Sequence, residues 1–204
     1  MKSWLIHPNA KRILLAFCSI PFLLFVYKIL TDDLGPNPAE ALIRGTGDWS
    51  IRFLCIVLLV TPLRVWTNTV ALQRFRRIIG VSVFAYATLH LLCYSGFDMA
   101  FDWDDIVKDI IKRPFILVGF VAWVFLCLMA MTSNNLAIKW MGVKSWQRLH
   151  KLVYFVAVLA VVHFYWMKSA KHNFNEVIVY ATILGGLLLW RLARALKLTT
   201  IKKV

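Results

Sequence analysis

Two histidines, His90 and His163, lie well inside apolar runs of this chain. An ionisable side chain at such a place is costly, which makes it a functional candidate by default. His163 belongs to WQRLHKLVYFVAVLAVVHFYW, Trp146 to Trp166, which reads as one apolar helix with His150 at the other end of its hydrophobic run. His90 belongs to RRIIGVSVFAYATLHLLCY. Counted from the starts of their runs, His90 is about 12 residues deep and His163 about 13, which at helical rise is about 18 and 20 Å. Both helices are expected to rise in the same direction, so the two imidazoles reach nearly one level. Two neutral imidazoles facing each other at one depth can ligate haem iron from both sides. A site closed in this way favours electron transfer over oxygen chemistry. The plainer alternative for each histidine alone is a hydrogen-bonded interior residue that packs helices.

His150 sits thirteen residues before His163. On a straight helix that spacing puts the two rings about 140° apart, so a second haem at His150 would use a different flank. The His90 run offers no second histidine at this level. It offers Arg76, fourteen residues before His90 and within about 40° of its face, with Arg77 beside it. Arginine is a poor iron ligand but a good partner for a haem propionate or a flavin phosphate. The inner level therefore reads as an asymmetrically ligated haem or a polar cofactor-docking surface. A snorkelling interfacial histidine beside arginines is the structural alternative. His7 and His172 lie in polar flanks and receive no role.

These residues have to be positioned by membrane-spanning helices. The chain has 204 residues, of which 60% are hydrophobic, and a mean hydropathy of +0.69. Spans are expected at about 13–30, 51–66, 78–95, 114–131, 150–167 and 174–190, each long enough for a hydrocarbon core roughly 30 Å thick. The fold class is all-α: a six-transmembrane helix bundle forming a single domain over residues 1–204. The first run reads as a retained span, because TDDLGPNP follows it where a signal peptide would have small residues. Residues 31–50 read as a loop, and FDMAFDWDDIVKDIIKRP as an acidic loop containing a short surface helix.

Net charge is +14. In a soluble protein that would suggest nucleic acid, but here the charge sits at span ends. The N-terminal segment, the loops after the second and fourth spans and the C-terminal tail are basic and contain no Asp or Glu. Every acid lies in the other three connections or at their edges. Lys and Arg beside span ends set orientation, so both termini are expected to be cytoplasmic. Most tryptophans fall near predicted boundaries, as an aromatic belt would. Cys18, Cys55, Cys93 and Cys127 occupy separate apolar runs and form no CxxC pair, which argues against a disulfide framework or a zinc site. Gly80, Gly119, Gly185 and Gly186 are expected to serve ordinary helix packing.

TPLR after the second span, RRIIG opening the third, ATLH within it and WQRLHKLVYFVAVLAVVH in the fifth together resemble the MsrQ (YedZ) family. These are haem-binding membrane subunits of bacterial periplasmic methionine-sulfoxide reductase systems, within the wider ferric-reductase-like transmembrane group that includes the NADPH oxidases. The resemblance covers nearly the whole chain. It implies residence in the bacterial inner membrane and one or two b haems, with His90, His150 and His163 matching the family's haem-associated histidines. It also implies an association with FMN, quinol or a cytosolic flavin reductase as electron donor, and the periplasmic molybdopterin-containing reductase MsrP as acceptor. Where the NADPH oxidases carry a fourth histidine, this chain has Arg76 or Arg77 nearby. No nucleophile or acid/base constellation is visible, so sulfoxide chemistry is expected on the partner.

Two other functions compete. A ferric or quinone reductase of the same fold would differ only in its acceptor. A histidine-dependent proton or metal transporter would be expected to show buried acids in its spans or a pair of broken helices, and neither is visible.

Overall fold

The computed structural model describes residues 2–169, 172 and 174–201, and of residues 2, 3, 8 and 198–201 the backbone only. Parts of the expected fifth connection (170, 171 and 173) and the end of the basic tail (202–204) lie outside the described residues. Every element among the described residues is helical: α1 (Lys2–Ile6), α2 (Pro8–Leu30), α3 (Pro38–Trp66), a 3-10 turn (Val70–Phe75), α4 (Arg76–Cys93), a π turn (Tyr94–Asp98), α5 (Trp103–Lys112), α6 (Pro114–Met131), α7 (Asn135–Met141), α8 (Val143–His150), α9 (Leu152–Ser169) and α10 (Asn175–Ile201). Six stretches are long and apolar enough to cross a membrane: Asn9–Leu30, Pro38–Trp66, Val70–Asp98, Pro114–Met131, Val143–Ser169 and Asn175–Lys197. The chain is a multi-pass membrane protein. Only helices or closed barrels satisfy their backbone groups in hydrocarbon.

Five of the spanning helices close into a ring. α3 packs on α4, α4 on α6, α6 on α9, α9 on α10, and α10 returns to α3. Leu54 and Leu58 of α3, Val156 of α9 and Leu184 of α10 are almost fully enclosed within it. α2 stands outside the ring against α4 and turns Phe17, Leu23 and Leu24 outward, as suits a lipid-facing helix.

Two elements differ from the sequence reading. α3 begins at Pro38, well before the expected Ile51. The Asn37 side chain accepts the Glu40 N–H (3.1 Å) and Pro38 pre-sets the first turn, so a polar segment starts the helix. Apolar periodicity alone could not show this. The second difference is a turn at Lys151 that separates α8 from α9. The Lys151 N–H reaches back only to the Arg148 carbonyl (3.2 Å), a tightened turn. The run from Trp146 to Trp166 is therefore not one continuous helix, and the angle counted over thirteen regular steps does not apply.

Both prolines inside spanning helices are repaired by a neighbour. Pro21 removes a backbone donor from α2, and the Tyr86 hydroxyl of α4 enters the ladder one rung along. The Phe22 N–H donates to that hydroxyl (2.9 Å), which donates to the Cys18 carbonyl (2.8 Å). In α3, Pro62 has no N–H for the Leu58 carbonyl. The Arg191 guanidinium of α10 donates to that carbonyl instead (2.7 Å).

Tyr86→Phe should therefore lower the stability of the bundle by about 1–3 kcal/mol, because it leaves a backbone donor and acceptor buried and unpaired. The cost should shrink in a Pro21→Ala background, where α2 can close its own ladder. Thermal unfolding of the four proteins of this double-mutant cycle measures the coupling, and additive effects would contradict the splice.

Candidate functional site

His90 projects from α4 and His163 from α9, and the ring brings them together. Their imidazole centroids lie 6.1 Å apart with planes at 81°. Each ring is tied at Nδ1 to a helix carbonyl across the ring. His90 Nδ1 lies 2.7 Å from the Ile43 carbonyl of α3, and His163 Nδ1 lies 2.6 Å from the Phe115 carbonyl of α6. A carbonyl oxygen has no proton to give, so both Nδ1 atoms carry the hydrogen and donate it. Both Nε2 atoms then keep an unshared pair, as a metal-binding imidazole requires.

Glycine makes these bonds geometrically open. A carbonyl in an α-helix points toward the residue four positions later, and four residues after Ile43 and Phe115 stand Gly47 and Gly119. A Cβ on Gly47 would lie 3.1 Å from His90 Nδ1, and one on Gly119 would lie 2.8 Å from His163 Nδ1 and Cε1. Gly119 thus admits the histidine ring rather than serving ordinary helix packing. Gly47 fell in a stretch read as a loop, where its role had no visible signal.

The histidines line a cavity of about 500 Å³, within the range typical of cofactor sites. Leu54, Leu126 and Val156 form its apolar depth. Trp123 of α6 lines it as well and is oriented by a bond from its Nε1–H to Thr88 Oγ1 (3.0 Å). Its mouth, at the acid-bearing end of the bundle, is polar and holds Arg44 and Arg113. Arg44 pairs with Glu40. Arg113 Nε pairs with Asp109 Oδ1 (2.6 Å), and the Tyr94 hydroxyl donates to Asp109 Oδ2 (2.5 Å). Asp109 is only 9% exposed, so this latch fastens α5 over the mouth. Sequence reasoning missed Arg44, Arg113, Asp109 and Tyr94; the first three had only charge beside a span end as a signal, and Tyr94 had none.

The residues fit a flat metallo-macrocycle. A metal ion lies about 2.0–2.1 Å from an imidazole nitrogen, itself about 1.1 Å from its ring centre, so two rings on one ion have centroids roughly 6.3 Å apart. The observed 6.1 Å is close to that. Among the described residues no group of three or more His, Cys, Asp or Glu could hold a bare ion. Two opposed imidazoles suit a metal whose other donors come with the ligand. The mouth holds the carboxylates of Glu40, Asp48 and Asp98 beside the two guanidinium groups, and a polar mouth over an apolar depth suits a ligand with one polar and one apolar edge.

His150 stands apart from this pair, at the basic end. Its ring stacks on Trp146 (centroids 4.1 Å). Its Nε2 is hydrogen-bonded with the Thr132 hydroxyl (3.1 Å), which also lies 2.8 Å from the Leu128 carbonyl. Arg76 and Arg77 lie within electrostatic reach of His150. Arg77 donates to Asn135 Oδ1 (2.9 Å). The expected inner cluster of His150, Arg76 and Arg77 is therefore brought to one level, with no second histidine facing His150 from α4.

Known proteins agree with this architecture. The family described as ferric reductase like transmembrane component matches residues 46–161. A protein of Polaromonas naphthalenivorans named protein-methionine-sulfoxide reductase heme-binding subunit MsrQ is 58% identical over 190 residues, 93% of this chain and 87% of that protein. Proteins of the same name from Herminiimonas arsenicoxydans and Azospira oryzae are 45% and 42% identical, over 89% and 92% of this chain and 83% and 80% of their own lengths.

Tyr94→Phe should loosen α5 from the cavity mouth, because the buried Asp109 loses one of its two partners. Amide hydrogen exchange across residues 103–112 should rise about tenfold or more, while that of α3 and α10 stays unchanged. Equal exchange in both proteins would show that the latch does not hold α5.

Proposed function

The chain belongs to the ferric reductase like transmembrane component family, and within it to the MsrQ subunits; from that premise we propose that it holds b-type haem between His90 and His163 and carries electrons across the bacterial inner membrane to the periplasmic reductase MsrP. The observation that carries this reading is the pair of fixed Nδ1–H tautomers, which turn two Nε2 lone pairs toward one cavity. Cytoplasmic termini follow from the basic, acid-free ends of the bundle, which makes the cavity mouth periplasmic. When bound, haem supplies a one-electron carrier.

Each residue then has a defined task. His90 and His163 would hold the haem iron through their Nε2 lone pairs. Ile43 and Phe115 hold the ring protons in place through their carbonyls, which also raises ligand basicity. Leu54, Leu126 and Val156 keep water from the depth of the cavity. Arg44 and Arg113 face the acidic edge of the ligand at the mouth. The chain has no CxxCH sequence, so attachment is non-covalent, of b type. One haem is the number favoured by one facing pair of histidines. At the opposite end, Arg76, Arg77 and His150 form the docking level for the electron donor, a quinol, FMN or a cytosolic flavin reductase. The names of the relatives support methionine-sulfoxide repair as the pathway served, with the sulfoxide chemistry on molybdopterin-containing MsrP.

A pyridine-haemochrome assay on the purified protein should give one b haem per chain. His90→Ala and His163→Ala should each abolish the Soret band. Gly119→Ala, which touches no ligand directly, should cut haem content several-fold by pushing the His163 ring off the Phe115 carbonyl. Full haem in either alanine variant of the histidines would overturn the assignment. Electron delivery is tested separately by methionine-sulfoxide reduction with reconstituted MsrP, and turnover that does not depend on this chain would redirect it to a different acceptor.

A further inference from the structure

We propose that the basic end of the bundle contains a site for a phosphate group, built by Arg191 and Arg194 of α10 with Arg76 of α4. The inference does not depend on the haem reading. It starts from Arg191, whose guanidinium donates to the Leu58 carbonyl that Pro62 leaves free (2.7 Å). The group lies over the Tyr154 ring, 5.3 Å from its centre. The other terminal nitrogen, Nη1, is buried and has no hydrogen-bond partner. One turn further on, Arg194 repeats the pattern: its guanidinium lies 5.5 Å from the Trp190 ring centre, and its Nη1 is also buried and unpartnered. Arg76 lies within electrostatic reach of Arg191 and adds a third positive charge.

Among the described residues no carboxylate side chain pairs with these cations. All ten acids of the chain lie toward the opposite end. A guanidinium cannot relieve this by losing its proton, and a buried donor of a charged group without a partner is unfavourable. The Tyr154 hydroxyl lies within hydrogen-bonding reach of Arg191, but a hydroxyl brings no counter-charge. An anion is the missing component. Phosphate is the anion abundant at the depth of a membrane headgroup, and its oxygens match the fork of arginine donors. The phosphate can be that of an anionic phospholipid or one delivered from the aqueous side, and the chemistry recognised is the same.

The test uses the full chain in nanodiscs of phosphatidylcholine alone, the same nanodiscs with inorganic phosphate titrated in, and nanodiscs containing phosphatidylglycerol. Bound lipid is read by native mass spectrometry and affinity by the shift of the unfolding midpoint. Saturable binding of phosphatidylglycerol identifies a lipid phosphate, and a saturable shift with inorganic phosphate alone identifies a soluble one. In either case Arg76→Gln and Arg194→Gln should weaken binding at least about tenfold. Arg191→Lys, which keeps a donor for Leu58, should weaken it while leaving the fold intact. No saturable effect of either probe on the native chain would overturn the proposal, as would equal binding in all three variants. The Soret band of the same samples reports the histidine pair independently.

Discussion

A histidine N–H donated to a helix carbonyl is the interaction on which the rest of this structure depends. It occurs twice, from α4 to α3 and from α9 to α6. Each time the acceptor lies four residues before a glycine whose missing side chain lets the ring in. Gly47 and His90 are 43 residues apart, Gly119 and His163 are 44, so the two helix pairs carry the same device in nearly the same register. In a medium without water these bonds are strong and their loss is costly. One nitrogen of each ring therefore fastens two helices together, and the other is left for chemistry.

The same intolerance of unpaired polar groups shapes the rest of the bundle. Pro21 and Pro62 each open a backbone ladder in a spanning helix, and Tyr86 and Arg191 fill the openings from adjacent helices. Asp109 is buried only with Tyr94 and Arg113 attached. All the acids lie toward one end, and bases share that end with them, so pairing there is internal, through Glu40 with Arg44 and Asp109 with Arg113. At the basic end, among the described residues, Arg191 and Arg194 each keep a buried Nη1 without a hydrogen-bond partner.

Much of this was legible in the residues. Six apolar runs, the one-sidedness of the acids and the matched depths of His90 and His163 lead to a membrane bundle with two histidines at one level, and the rings do meet. What could not be read depends on backbone. The Ile43 and Phe115 carbonyls carry no signature in a side-chain pattern. Gly47 was hidden because residues 38–50 are helical by capping and not by periodicity. The turn at Lys151 follows from one shortened hydrogen bond and leaves no trace in hydropathy. Arg191 and Arg194 looked like ordinary inner-face charges, because the carbonyl freed by Pro62 that Arg191 donates to belongs to another helix.

Electron paramagnetic resonance of the ferric protein reaches the central claim most directly, because it reports how many strong axial ligands the iron has. A six-coordinate low-spin signal is expected, converting to high spin or disappearing when either His90 or His163 is replaced. A high-spin signal in the native protein, or a low-spin signal that survives either replacement, would contradict a single iron held between these two rings.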